Sequence, residues 1–432
     1  MQNHTDEGLV RGIRSWDLVA IAINGIIGAG IFGLPSKVYS LIGTYSIIAF
    51  IACALVVALI IVCFAEVGSR FDDTGGPYLY AREAFNPAVA FEIGWLIWLA
   101  RVTAFAANCN LLINYVAYFW NSATDTFWRA FVIISVVTVL ALINLLGIRQ
   151  AAIVSNVFTV GKLVPIIIFV GAGLFFLNPQ AFALGAAPET GKFSQSVLLL
   201  VYAFTGFEMA TIPAGEVREA KKNMPRALMI AILVVAVLYI LIQIVCVGTL
   251  PGLGQSQKPL ADAGTQFLGT AGGAIISAGA IISITGNLNI LLLSGSRLPF
   301  AMAEQKQLPA FIGNVHRSFF TPYVSILLTA GLMLFLTLKS SFVAALTIST
   351  IARLVTYGAT CISLPVFRHR KDAPPPAFRL PGGTIVAVLS VGLIVWLLWH
   401  STAAEAKASA WAAGVGLLIY VAYWLYSRSR SS

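Results

Sequence analysis

The stretch Asn24-Gly25-Ile26-Ile27-Gly28-Ala29-Gly30-Ile31-Phe32-Gly33-Leu34-Pro35 sits inside an apolar run that extends from about residue 16 to 41. Its four glycines fall within nine residues, and each costs about 1 kcal/mol of helix propensity against alanine. A run of this length is long enough to cross a hydrocarbon core, which places the glycines near its middle. Unwound backbone is tolerated at that depth only where protein or a water-filled cavity satisfies its N–H and C=O groups. Two readings follow. Either the helix is interrupted here, or the glycines form a packing surface, since Gly28 and Gly33 lie close to small-xxx-small spacing.

A second stretch weighs on that choice. Tyr202-Ala203-Phe204-Thr205-Gly206-Phe207-Glu208 carries the same kind of interruption, with Pro213 and Gly215 closing the span early. Counting apolar runs gives spans near 16–41, 45–69, 87–119, 126–147, 150–177, 194–214, 225–250, 271–303, 321–338, 341–367, 384–400 and 407–427. The two interrupted runs are thus the first and the sixth of twelve. That placement fits an all-α membrane protein of twelve transmembrane helices, with two inverted five-helix repeats and two C-terminal helices after them. Beyond the interruptions the halves share too little sequence to identify a repeat.

Composition agrees with a bilayer as solvent. Of 432 residues 59% are hydrophobic and 10% charged, and mean hydropathy is +0.88, against about one-quarter charged in soluble domains. The net charge of +10 would suggest nucleic acid in a soluble chain, but the cations gather in alternate loops: Arg70 and Arg82, Arg149, Lys221 and Lys222, Lys306 and Arg317, then Arg368, Arg370 and Lys371. The positive-inside rule then puts both termini in the cytoplasm. Residues 1–15 are polar and no signal peptide is read there, so the first span is expected to direct insertion into a cell (inner) membrane. The implied layout is a cytoplasmic tail (1–15), a ten-helix core (16–367), a cytoplasmic loop (368–383), two further helices (384–427) and a short tail (428–432).

The pattern excludes several function classes. No connection is long enough for a receptor ectodomain or a catalytic head, and no GxxxxGK[ST] supports an ATP-driven pump. There is no HExxH and no GxSxG within a span, and His4, His316, His369 and His400 fall in tails, loops or span ends. Cys53, Cys63, Cys109, Cys246 and Cys361 lie in apolar runs without a CxxC pair and read as packing residues. No metal site, cofactor or nucleic-acid partner is expected, and oligomeric state stays open. Chemically, a break after a half-helix offers backbone N–H groups to a carboxylate and freed carbonyls to an ammonium. A small zwitterion is the natural ligand.

Taken together, Gly28-Ala29-Gly30-Ile31-Phe32, Gly206-Phe207-Glu208, the loop from Gly215-Glu216 to Asn223-Met224-Pro225-Arg226, Ser296-Arg297-Leu298-Pro299 and Arg353 before Leu364-Pro365 resemble the amino acid, polyamine and organocation transporter superfamily, bacterial permeases in particular. The resemblance implies a secondary active transporter of amino acids working by alternating access. It also implies that the backbone from Gly28 to Gly30 and the Ile26 carbonyl border the substrate. Tyr202, Ala203, Thr205 and Gly206 would line the facing break, with the Tyr202 ring as a candidate gate. Ala29 departs from members with Ser there, which removes one hydroxyl from the carboxylate contact.

Ionisable side chains within spans are functional candidates by default. A lysine at Lys162 resembles those that stand in for a bound sodium ion, which implies sodium-independent, proton-coupled uptake; the plainer alternative is pairing with carbonyls freed at the first break. Arg101 either neutralises Glu208 or meets a substrate carboxylate. Glu208 either senses a proton or holds the second break by accepting N–H bonds. Asn24, Asn108, Asn110, Asn287 and Asn289 either line the cavity or bond between helices, and Arg297 and Arg353 read as gate or interface residues. The partners expected are an amino acid, a proton and the lipid bilayer, with an amino acid/amine exchanger or a polyamine permease as alternatives.

Overall fold

The chain is seen in a computed structural model that describes residues 13–73, 75–146, 162–212, 214 and 217–429. Arg149, Pro213, Gly215, Glu216, most of the N-terminal tail and the beginning of the fifth span lie outside the described residues. Among those described there is no strand; Ile13 and Val217 form an isolated bridge.

Fourteen α-helices follow in order among the described residues: α1 Ser15–Ile26, α2 Gly30–Ile42, α3 Ser46–Gly68, α4 Pro77–Ala84, α5 Pro87–Val116, α6 Thr126–Leu146, α7 Lys162–Phe176, α8 Thr190–Phe204, α9 Ala220–Thr249, α10 Pro259–Glu304, α11 Tyr323–Lys339, α12 Phe342–His369, α13 Gly383–Trp399 and α14 Ala403–Ser429. Among the described residues, eight helical stretches are long and apolar enough to cross a membrane, with α2 through α3 taken as one; α1, α11, α13 and the described part of α7 are shorter but apolar.

Local sequence explains several boundaries. Asn86 accepts a hydrogen bond from the Val89 N–H at 3.0 Å and Pro87 fills the first helical position of α5, the pairing favoured at helix starts. Ser341 caps α12 through the Ala344 N–H. Two features differ from the sequence expectation. A short helix, α4, stands between the second and third spans, because Gly76 at φ 53° and Pro77 start a helix in a segment too polar to register as a span. The eighth span is preceded by a further helical piece, separated from it at Gly269, whose φ of 67° interrupts α10.

The helices pack in two groups. In one, α3 lies against α8 and α9, α1 against α9, and α2 against α8; in the other, α5 lies against α10, α11 and α12. An aromatic triad joins the groups: Phe64 of α3, Phe207 and Tyr357 of α12 have ring centroids 5.0 to 5.4 Å apart, each such pair adding about 0.5–1.5 kcal/mol beyond its buried area. All five cysteines are buried and unbridged. Large apolar side chains such as Leu55, Leu233, Val388 and Trp411 point outward, as lipid contact requires. Glu66, with no exposure, receives Arg368 and Arg70 and the Leu380 N–H, so it ties the α12–α13 connection to the end of α3.

Candidate functional site

Both quoted stretches interrupt their helices. Between Ile26 and Gly30 the backbone leaves helical geometry at Ile27, φ −71° and ψ 89°. Between Phe204 and the short 3₁₀ segment Phe207–Thr211 it leaves at Thr205 and Gly206, the latter at φ 109°. The breaks touch. A Cβ on Gly206 would sit 2.1 Å from the Gly25 carbonyl oxygen, and one on Gly30 would sit 2.8 Å from the Ala203 Cα. The glycines therefore serve both readings: they release the helix and let the two broken segments approach.

Each break has its polar groups met in a distinct way. At the first, Lys162 Nζ donates to the carbonyls of Asn24 at 2.8 Å and Ile27 at 2.7 Å, and the Tyr239 hydroxyl donates to the Ile26 carbonyl at 3.1 Å. The N–H groups of Gly30 and Ile31, opening α2, have no carbonyl of their own helix to bond. At the second, Glu208 accepts from the Gly206 N–H at 2.9 Å and from the Tyr357 hydroxyl at 2.7 Å, and pairs with Arg353. The Thr205 hydroxyl donates to the Tyr202 carbonyl at 2.8 Å.

A cavity of ≈ 30 Å³ lies where the breaks meet, walled by Gly25, Ile26, Gly28, Ala29 and Gly30 from the first and Tyr202, Thr205, Gly206 and Met209 from the second. Ala104, Asn108, Asn287, Leu291 and Arg353 complete it. Tyr202 donates to Asn108 Oδ1 at 2.5 Å, and Asn108 donates to Asn287 Oδ1 at 2.7 Å, so these asparagines both line the cavity and bond between helices. Asn110 and Asn289 instead bond to neighbouring helices away from it. The space admits only a water or two; a solute of amino-acid size requires the breaks to separate. Larger cavities open on either side, one of ≈ 370 Å³ past Gly33 beside Lys37 and Arg129, the other of ≈ 560 Å³ beside Tyr78 and Arg297.

Not every candidate residue meets here. Ala203 packs against Gly30 rather than facing the cavity. Lys162 stands behind the first break. Arg101 does not line the central cavity but the ≈ 560 Å³ one, and the partner of Glu208 is Arg353, not Arg101. Sequence reasoning passed over Tyr239 and Tyr357, buried hydroxyls that supply donors to the two breaks. Their signal was a tyrosine at mid-span, where an unpaired hydroxyl is costly.

Residues 13–422 match the amino acid permease family. The chain belongs to that family. It therefore lies within the amino acid, polyamine and organocation superfamily, whose members are transporters rather than enzymes, and it is a multi-pass membrane protein. The permease is similar to the methylthioribose transporter of Bacillus subtilis (28% identity over 98% of this chain and 95% of that one). It is likewise similar to the serine/threonine exchanger SteT of the same organism (27%, 99% and 100%) and to its branched-chain amino acid permease BcaP (24%, 99% and 95%).

Proposed function

We propose that this permease is a sodium-independent amino acid transporter, coupled to protons through Lys162 and working by alternating access at the paired breaks. The observation that carries the reading is the seat of Lys162 Nζ between the Asn24 and Ile27 carbonyls. Carbonyls freed by unwinding at mid-membrane are the ligands a sodium ion takes in such folds, and here a tethered ammonium fills that place. Losing a proton to water on one side would release both carbonyls and let the first break rearrange. Amides at Gly30 and Ile31 suit the substrate carboxylate; Tyr202 and Thr205 face its other end. Two relatives named for amino acids support that solute class, while the methylthioribose transporter, at similar identity, shows how widely solutes vary among relatives.

The proposed arrangement has twelve spans. Residues 16–367 form two inverted five-helix halves, 384–427 the outer pair, and the tails 1–15 and 428–432 together with 368–383 face the cytoplasm of a cell (inner) membrane. Exchange is the second reading. If Lys162 keeps its proton throughout the cycle, counter-transport of a second amino acid must complete it, and the full-length similarity to an exchanger favours testing this. Polyamine transport is disfavoured because Glu208 is already committed to Arg353 and Tyr357.

The test is uptake of radiolabelled serine, threonine and leucine into proteoliposomes with sodium replaced by choline. Uptake should persist and should increase with a lumen-alkaline gradient, and Lys162→Met should remove that increase. Uptake that needs a preloaded amino acid but no gradient would establish exchange instead, and a strict sodium requirement would overturn the proposal.

A further inference from the structure

The ≈ 560 Å³ cavity on the Tyr78 side holds two guanidinium groups that the transport site leaves without a task. Arg101 of α5 is 3% exposed, and its Nη2 is buried with no hydrogen-bond partner among the described residues. Arg297 of α10 lines the same cavity, and its Nη2 is likewise buried and unpartnered. The Arg297 fork is held in place, because Nη1 donates to the Leu293 carbonyl at 3.0 Å and to the Ser296 hydroxyl at 2.8 Å. The helices are in contact there: a Cβ built on Gly295 would lie 3.7 Å from the Arg101 Cβ, an ordinary packing distance.

Among the described residues, charge around this pair does not balance. Of the carboxylates on the cavity wall, Glu208 is bound by Arg353, Tyr357 and the Gly206 N–H, and Asp73 is exposed. Arg82, also on the wall, is paired with Glu83. A gap of ≈ 10 Å³ separates Arg101 from the Glu208 cluster, barely room for one bridging water. The remaining wall is largely apolar, with Ile97, Leu298 and Met302. A buried cation lacking its counter-ion is strongly unfavourable, and a planar fork matches a carboxylate better than any other common anion except phosphate.

We propose that Arg101 and Arg297 form a second subsite, outside the central cavity, that takes the carboxylate of an apolar-bodied solute. It rests on the transport reading only in making that solute the one that passes between the breaks and the Tyr78 side. Its geometry stands without it. The carboxylate meets the two guanidinium groups on the cavity wall while the apolar body lies on Ile97, Leu298 and Met302.

The test uses the full chain in nanodiscs and an amine-free probe, 4-phenylbutyrate, which lacks the ammonium a zwitterion site requires. p-Hydroxyphenylglyoxal modifies accessible guanidinium groups, and peptide mass spectrometry reads the rate at Arg101 and Arg297 separately. At about nine times its Kd, 4-phenylbutyrate should slow labelling of both by about tenfold, because protection follows one plus the ratio of free ligand to Kd, whereas neutral 4-phenylbutanamide should not. Arg297→Lys, which keeps the charge and the fold, should weaken protection at Arg101. Equal labelling with and without the carboxylate, protection by the amide, or no labelling of Arg101 under any condition would each overturn the subsite. The central site is scored separately, by melting-point shifts with the twenty amino acids, so failure of one reading does not pass for failure of the other.

Discussion

At the first break the carbonyls of Asn24, Ile26 and Ile27 are met by Lys162 and Tyr239, side chains that come from α7 and α9, more than a hundred residues away in sequence. At the second, the Gly206 N–H bonds Glu208 and the Thr205 hydroxyl bonds the Tyr202 carbonyl, all within a few residues, while Arg353 and Tyr357 reach Glu208 from α12. The first break is held from outside, so displacing α7 changes its geometry. The second has more of its bonding within its own sequence and is tied to α12 through Arg353 and Tyr357. Under the proposed mechanism the first break is the one whose shape responds to the Lys162 charge. The glycine content reflects the same division, since four glycines soften the first break while Gly206 alone imposes a left-handed turn on the second.

The sharpest way to break this comparison is at Gly206. Alanine there must adopt φ 109° and place its Cβ 2.1 Å from the Gly25 carbonyl oxygen; strain and overpacking together should cost about 3 kcal/mol or more. Gly206→Ala is expected to lower the melting temperature in detergent micelles strongly, and a shift indistinguishable from wild type would refute the local account. Comparable in size is Glu208→Gln, which strands the buried Arg353 charge at a cost of about 3–5 kcal/mol. Glu208→Leu combined with Arg353→Met should recover part of that loss, because replacing both members of a buried pair is far less harmful than removing one. Additive losses in the double-mutant cycle would mean the two residues act independently.

Much of this design was legible beforehand. Glycines and interrupted apolar runs marked both breaks, because backbone conformation is encoded locally. The existence of helices followed from run length. What escaped were the long-range pairings. Arg353 sits on α12, 145 residues from Glu208, and no local pattern says that it, rather than Arg101, reaches the carboxylate. Both arginines lie in apolar runs, so burial alone could not choose between them. Tyr239 and Tyr357 were hidden for a similar reason: a mid-span tyrosine needs an acceptor, but which of the many spans supplies it depends on packing. Ala203 was misplaced by one helical step, since carrying over a whole stretch ignores the roughly 100° turn between neighbours that sends one side chain to the cavity and the next into Gly30.

The externally held break offers the finer tests. Lys162→Met leaves two buried carbonyls without their charged donor, each worth about 1–3 kcal/mol, and the effect should be local. Hydrogen exchange at residues 24–30 should speed up by at least tenfold, while residues 202–208 keep their protection; equal loosening of both segments would deny that the breaks are separately held. The smallest effect belongs to Tyr239→Phe. It removes one neutral hydroxyl from the Ile26 carbonyl, about 1 kcal/mol, and leaves the ring edge-on to Phe204 with its centroid 5.1 Å away. Because Ile26 also borders the central cavity, the proposed site would have a freed lone pair to offer a solute ammonium. Stability should fall slightly while amino acid binding stays level or tightens by a few-fold, a divergence readable by titrating the melting temperature with ligand. A matched loss of both would mean that the Ile26 carbonyl only serves the fold.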